Sequence, residues 1–201
     1  MSSSRDEIPI TLIKDYYWCP LKAYYQATLW NPPPTQSMQT GTETQSMHRS
    51  ILVEILEKRH KIHEYLWEHP VESKRLGLRG RIDLVATTTS QRIIIVDIKL
   101  YTGDAKRLIT RDKHIAAQLA AYAIAAEETL HHSLEAAYIY SIEREKLYQV
   151  PITPRLRRLV EHAAKNIHKA LETNKPPPPM PSKRRCNTCR YKTICPFART
   201  T

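Results

Sequence analysis

No run of apolar residues in this 201-residue chain approaches the ~20 needed for a membrane-spanning helix. The opening stretch, MSSSRDEIPI, lacks the apolar segment of a secretory signal. The expectation is therefore a cytoplasmic protein with no membrane partner. No internal repeat is visible, which argues against a solenoid. Phenylalanine is nearly missing, with one residue against 11 tyrosines. Acids are scarce relative to bases, 20 against 31, which leaves a formal charge of +11. From Ser182 onward there is no acid at all. Such a balance favours a polyanionic partner, most simply nucleic acid. Cysteine is limited to four residues. In a reducing compartment, four spaced cysteines point to a metal site rather than to disulfides.

What remains reads as a folded α/β chain. TLIKDYYWCPLKAYYQATL (11–29) is helical, with Thr11 as a candidate N-cap and Pro20 interrupting it or opening a second helix. WNPPPTQ (30–36) is a stiff exposed loop. A helix follows over 44–60, its apolar stripe formed by Met47, Ile51, Leu52, Ile55 and Leu56. Strands are expected over 63–73, 76–89 and 91–101, and an alanine-rich helix over 113–132. A hairpin over 135–143 and 146–152 precedes a last long helix, capped by Thr153 with Pro154 at its first position. KPPPPMP (175–181) is a polyproline spacer before a cysteine-bearing tail. This order gives a mixed α/β fold, a central sheet flanked by helices. Three regions follow: an N-terminal helical segment (1–40), a core (41–174), and the spacer with its tail (175–201).

One strand carries an anomaly. RIIIVDIKLY (92–101) reads as buried on both faces, yet Asp97 and Lys99 lie within it. Alternation puts these two side chains on one face and Ile98 on the other. The preceding strand, LGLRGRIDLV, holds Asp83. If the strands pair as a hairpin, Asp83 approaches Asp97. Converging carboxylates repel unless a cation lies between them, and oxygen donors select Mg²⁺ or Mn²⁺. The ordinary alternative for D-x-K is a structural ion pair. On the alanine-rich helix, His114, Gln118 and Tyr122 share one polar stripe that faces either solvent or such a site. His48 is placed to supply a nitrogen ligand, although spacing does not choose it over His60 or His63. The basic stretch GDAKRLITRDKH offers Lys106, Arg107, Arg111 and Lys113 for phosphate contact.

The tail sequence RRCNTCRYKTICPFAR holds Cys186, Cys189 and Cys195, and Cys19 lies far upstream. All four serve one centre if the chain ends meet. Zinc and iron–sulfur ligation both fit this spacing.

Taken together these features resemble the CRISPR-associated, RecB-like exonuclease family with an iron–sulfur cluster, within the PD-(D/E)xK nuclease superfamily. The resemblance spans nearly the whole chain. It rests on Cys19-Pro20, His48, GRIDLV with Asp83, VDIK with Asp97 and Lys99, QLAAY with Gln118 and Tyr122, and the terminal C-x₂-C-x₅-C-P. It implies a restriction-endonuclease-like nuclease core with a cysteine-ligated cluster subdomain. It implies that His48, Asp83, Asp97 and the Ile98 carbonyl bind Mg²⁺ or Mn²⁺. Lys99 would orient or activate the attacking water, and Gln118 and Tyr122 would steady Lys99 or the scissile phosphate. Cys19, Cys186, Cys189 and Cys195 would hold the cluster, [4Fe–4S] by preference and [2Fe–2S] as the alternative. The implied activity is exonucleolytic trimming of single-stranded or frayed DNA ends, 5′ to 3′, in CRISPR spacer acquisition, with integration-complex proteins as partners. Two rivals are a nonenzymatic DNA-binding scaffold of that complex and a structure-selective endonuclease on the same fold.

Overall fold

The computed structural model describes residues 7–29, 48–100, 107 and 112–199. The elements run β1 (Ile8–Pro9), α1 (Thr11–Trp18), α2 (Pro20–Thr28), α3 (Arg49–Glu57), β2 (Ile62–Ser73), β3 (Leu78–Thr88), β4 (Ile93–Lys99), α4 (Lys113–Leu130), β5 (Leu134–Ser141), β6 (Lys146–Gln149), α5 (Pro154–Glu172) and α6 (Lys183–Asn187). The mixed α/β architecture expected from the sequence is present. None of the described helices is long and apolar enough to cross a membrane.

The six strands form one sheet in the order β1-β3-β4-β5-β6, and β2 also pairs with β3. β2–β3, β3–β4 and β5–β6 are antiparallel hairpin partners, whereas β1 runs parallel to β3 and β4 parallel to β5. A parallel pair needs a crossover, and α4 supplies it. Central position explains the composition of β4. Ile93, Ile94, Ile95 and Val96 are all fully buried, so each face of this strand meets a hydrophobic layer.

Those layers differ. On one face Ile82, Val85, Ile93, Ile95 and Ile139 pack beneath α1, α4 and α5. On the other, Leu84, Ile94, Val96, Ile98 and Tyr140 pack against Leu52 and Leu56 of α3. The alanines of α4 let it lie close on the sheet, and Ala117, Ala120, Ala121 and Ala125 have no exposed surface. α5 starts as its sequence demands, with Pro154 in the first turn and Thr153 Oγ1 accepting the Leu156 N–H at 3.2 Å.

Three boundaries depart from expectation. Thr11 is not the cap of α1: Ile10 occupies that position and makes no side-chain capping bond. Its N–H is instead held by the Arg79 carbonyl at 2.8 Å, so sheet pairing fixes the start of this helix. The stretch preceding that helix forms the short strand β1. The helix expected over 44–60 covers 49–57 among the described residues, with His48 as its N-cap. Met47 and the loop at 30–36 lie outside the described residues.

Candidate active site

The site is built where two strands part. β3 and β4 pair from Thr87–Ile93 to Leu84–Val96. Beyond that point β3 finds a new neighbour, β1, at Leu78 and Arg79. The interval between the two pairings holds Gly80 to Asp83. There β3 also changes phase. Leu78 and Ile82 face the α4 layer, as does Val85, while Leu84 and Ala86 face α3. β2 adjusts alongside, since Glu68 has φ 49° between the paired residues Trp67 and His69. Asp83 sits at this change of phase.

Its carboxylate serves the parted edge. Asp83 Oδ2 accepts the Ile98 N–H at 2.6 Å, replacing the ladder bond that β3 no longer offers. Asp97 points into the α4 layer and is 3% exposed. Its Oδ1 accepts from Lys99 Nζ at 2.7 Å, whereas Oδ2 is buried and has no hydrogen-bond partner among the described residues. Burial and then the Asp97 charge push the Asp83 pKa up to about 6, against the pull of Lys99 and the Ile98 N–H. Burial would lower Lys99, but the Asp97 and Asp83 charges outweigh it and hold Lys99 above its usual value. The two carboxylates and the ammonium thus sense one another.

α4 closes the site from above. Gln118 and Tyr122 are 3% and 5% exposed, so this stripe faces inward and not to solvent. Tyr122 is raised by burial and by the charges of Asp97 and Asp83, while a hydrogen bond from Gln118 pulls the other way. Gln118 Oε1 is a buried acceptor with no hydrogen-bond partner among the described residues. Gly80 leaves room for the ring: a Cβ there would lie 3.0 Å from Tyr122 Cε1 and 3.2 Å from Ile10 Cβ.

His48 approaches from the other face of the sheet. Its Nδ1 lies 3.3 Å from Tyr140 Oη and 3.9 Å from Glu145 Oε1. Tyr140 is the β5 partner of Ile98, which places His48 over the same strand end. His60 is committed elsewhere, bonded to Glu135 at 2.9 Å and Tyr138 at 2.8 Å. Among the described residues no three His, Cys, Asp or Glu side chains are already gathered as a metal-holding group. The donor chemistry nonetheless suits a hard cation: a buried carboxylate with an orphaned oxygen, a second carboxylate, and an imidazole at the same strand end.

Two polar residues escaped the sequence reading. Ser141 pairs with Lys99 in register, has no exposed surface, and its Oγ has no hydrogen-bond partner among the described residues. Its place beside Lys99 follows only from the β4–β5 pairing, which the local sequence does not show. Lys14 on α1 is lowered by burial and then by Lys99, with Asp15 and Asp97 opposing. It is a second ammonium beside the site, and nothing in its local sequence distinguishes it. Of the expected phosphate contacts, Lys106 and Arg111 lie outside the described residues. Arg107 is paired with Asp112 at 3.0 Å, and Lys113 is exposed at the start of α4.

The four cysteines line one pocket, although among the described residues they are not drawn together as a metal-holding group. Cys19, Cys186, Cys189 and Cys195 are free thiols that line one pocket with Trp18, Tyr25 and Tyr191. Cys19 lies in extended backbone between α1 and α2, which turns it toward the tail. Its Sγ accepts the Met180 N–H at 3.4 Å. Burial raises the Cys189 thiol, and Cys19 and Cys195 add to this while the Tyr191 N–H and Lys22 oppose.

Comparison with known proteins agrees with this architecture. The sequence profile of the PD-(D/E)XK nuclease superfamily matches residues 21–196. CRISPR-associated exonuclease Cas4 of Aeropyrum pernix is 38% identical over 191 residues, covering 93% of this chain and 94% of that protein. The protein of the same name from Thermoproteus tenax is 28% identical, covering 95% and 94%. The crystal structure of SSO0001 superposes with a TM-score of 0.53 at 17% identity, covering 97% of this chain and 88% of that one, a likeness of fold. The chain belongs to the PD-(D/E)XK nuclease superfamily and, within it, to the family of CRISPR-associated exonucleases Cas4.

Proposed function

We propose that this protein is a Mg²⁺- or Mn²⁺-dependent DNA exonuclease. It trims single-stranded or frayed ends from the 5′ side during CRISPR spacer acquisition, alongside integration-complex proteins. The observation that carries the reading is the buried Asp97 carboxylate paired with Lys99 beside Asp83, with one Asp97 oxygen left without a hydrogen-bond partner among the described residues.

Asp83, Asp97, His48 and the Ile98 carbonyl are the residues that would hold the cation. When bound, such an ion supplies Lewis acidity toward water and screens charge on the phosphate. Asp97 Oδ2 would gain the partner it lacks, and the repulsion that raises Asp83 would be relieved. Lys99 is an ammonium in this setting, with donors only, so it suits orienting water and steadying charge on the phosphate oxygens. Lys14 adds a second cation to the same task. Gln118 and Tyr122 hold the far wall, where a hydroxyl and an amide are able to bond a phosphate oxygen. Cys19, Cys186, Cys189 and Cys195 would hold an iron–sulfur cluster, [4Fe–4S] by preference, whose part is to clasp the tail to α1 and α2.

The test compares the parent and Asp97→Ala on 5′- and 3′-labelled single strands and on a closed single-stranded circle, with Mn²⁺. The parent is expected to shorten linear strands from the 5′ end and to spare the circle. Asp97→Ala should lose at least about a hundredfold in rate. A variant as fast as the parent removes the proposed centre, and cleavage of the circle turns the reading to an endonuclease. A parent that binds strands without cutting them leaves a DNA-binding scaffold.

A further inference from the structure

Beside the proposed centre lies a second concavity that the reading above leaves unused. It has a volume of about 420 Å³ and is lined by Trp18, Lys113, His114, Met180, Arg184 and Arg185. Three elements distant in sequence meet there: the C-terminal end of α1, the N-terminal end of α4, and the turn leading into α6. Trp18 and His114 pack edge to face, their ring centroids 5.0 Å apart. Lys113 and Arg184 are exposed at the rim. Asp112 is the acid among the described lining residues, and Arg107 engages it at 3.0 Å. Burial carries the His114 pKa down to about 4; Asp112 opposes this, while Lys14, Lys22 and Arg184 add to it. The imidazole is therefore neutral near pH 7 and offers a flat ring beside the indole.

Aromatic faces combined with cations at the rim are the equipment of single-stranded nucleic-acid binding, in which bases stack and phosphates meet ammonium or guanidinium groups. A duplex keeps its bases stacked on each other and presents no free face to such rings. The placement is as telling as the composition. Trp18 stands one helical turn from Lys14, and His114 one turn from Gln118, so the same two helices line both the cleft and the centre. A strand running along these helices from the centre would pass the cleft.

We propose that this cleft seats the nucleotide adjoining the scissile phosphate of a single DNA strand, with its base against Trp18 and His114 and its phosphate between Lys113 and Arg184. The proposal rests on the assignment of Asp83, Asp97 and Lys99 as the reacting centre. It supplies a physical basis for choosing single strands over duplexes.

The experiment measures binding of a fluorescent oligothymidylate and of a blunt duplex to full-length Asp97→Ala protein. Arg184→Gln and His114→Ala are then added singly and together. The double change should weaken single-strand binding about tenfold or more. Duplex affinity should move less than threefold, and Arg184→Gln should lower the salt slope by about one. Equal loss for strand and duplex reduces the cleft to general electrostatics and overturns the seat, as does unchanged strand affinity. Arg184 is exposed, so its change tests the seat even where replacement of His114 disturbs folding. Retained cleavage by Asp97→Ala alone would instead overturn the centre, a failure that these affinities distinguish from failure of the seat.

Discussion

A carboxylate oxygen buried without a partner is costly, and Asp97 Oδ2 is one. Asp83 feels the same crowding, since its pKa is raised to about 6 by burial and by Asp97. In the unfolded chain an aspartate titrates near ~3.9. The metal-free folded protein therefore binds the Asp83 proton more tightly than the unfolded chain does. As pH rises from about 4 through 6, stability is lost, up to roughly 3 kcal/mol from this group. Metal-free Asp83→Asn should melt above the parent at pH 7.5, and the gap should close as pH falls toward 4. Thermal melts with chelator present check this; a gap that does not change with pH means that Asp83 ionises freely. Strand alternation made this trio legible beforehand, because Asp97 and Lys99 had to share a face. Lys14 was illegible, since helical periodicity says which face a lysine takes but not what stands opposite. Ser141 was illegible because the pairing of β4 with β5 is known only from the fold.

Strands and helices position this chemistry by failing to pair in one place. β3 is held by β4 at one end and by β1 at the other, and the change of phase at Asp83 lies between. Gly80, in that interval, admits the Tyr122 ring. Gly80→Ala would bring a methyl group to 3.0 Å from Tyr122 Cε1 and 3.2 Å from Ile10, so the ring must move by a few tenths of an ångström. Nuclease turnover should fall about tenfold, with a loss of melting temperature of a few degrees. Full turnover at unchanged melting temperature would show that Tyr122 placement is not critical. Periodicity located the principal strands and helices well, as for β4 and α5. It missed β1, because two residues carry no period, and it misread Thr11, because the cap of α1 is set by the Arg79 carbonyl. The change of phase at Asp83 was also hidden, since the apolar pattern alone does not reveal where two strands separate.

For the molecule as a whole, the defining feature is that Cys19 meets a tail whose other cysteines lie at 186–195. That the tail would meet Cys19 depended on the chain ends lying close, and spacing left zinc and iron–sulfur equally open. Anaerobically prepared parent protein should be brown and contain iron. Cys19→Ser should lose most of its iron and melt at a markedly lower temperature, because metal binding is coupled to folding. Metal analysis and visible absorption decide it: a colourless parent with one zinc per chain replaces the cluster by a zinc clasp. The excess of base over acid, +11 overall, is concentrated around this tail, where no acid follows Ser182.

The cleft that adjoins Trp18 and His114 is bounded on its remaining side by Met180, Arg184 and Arg185. A nascent chain on the ribosome thus completes its reacting groups well before it owns this boundary. A copy cut short after α5 would have its acids in place but would lack the side chains that bound this cleft.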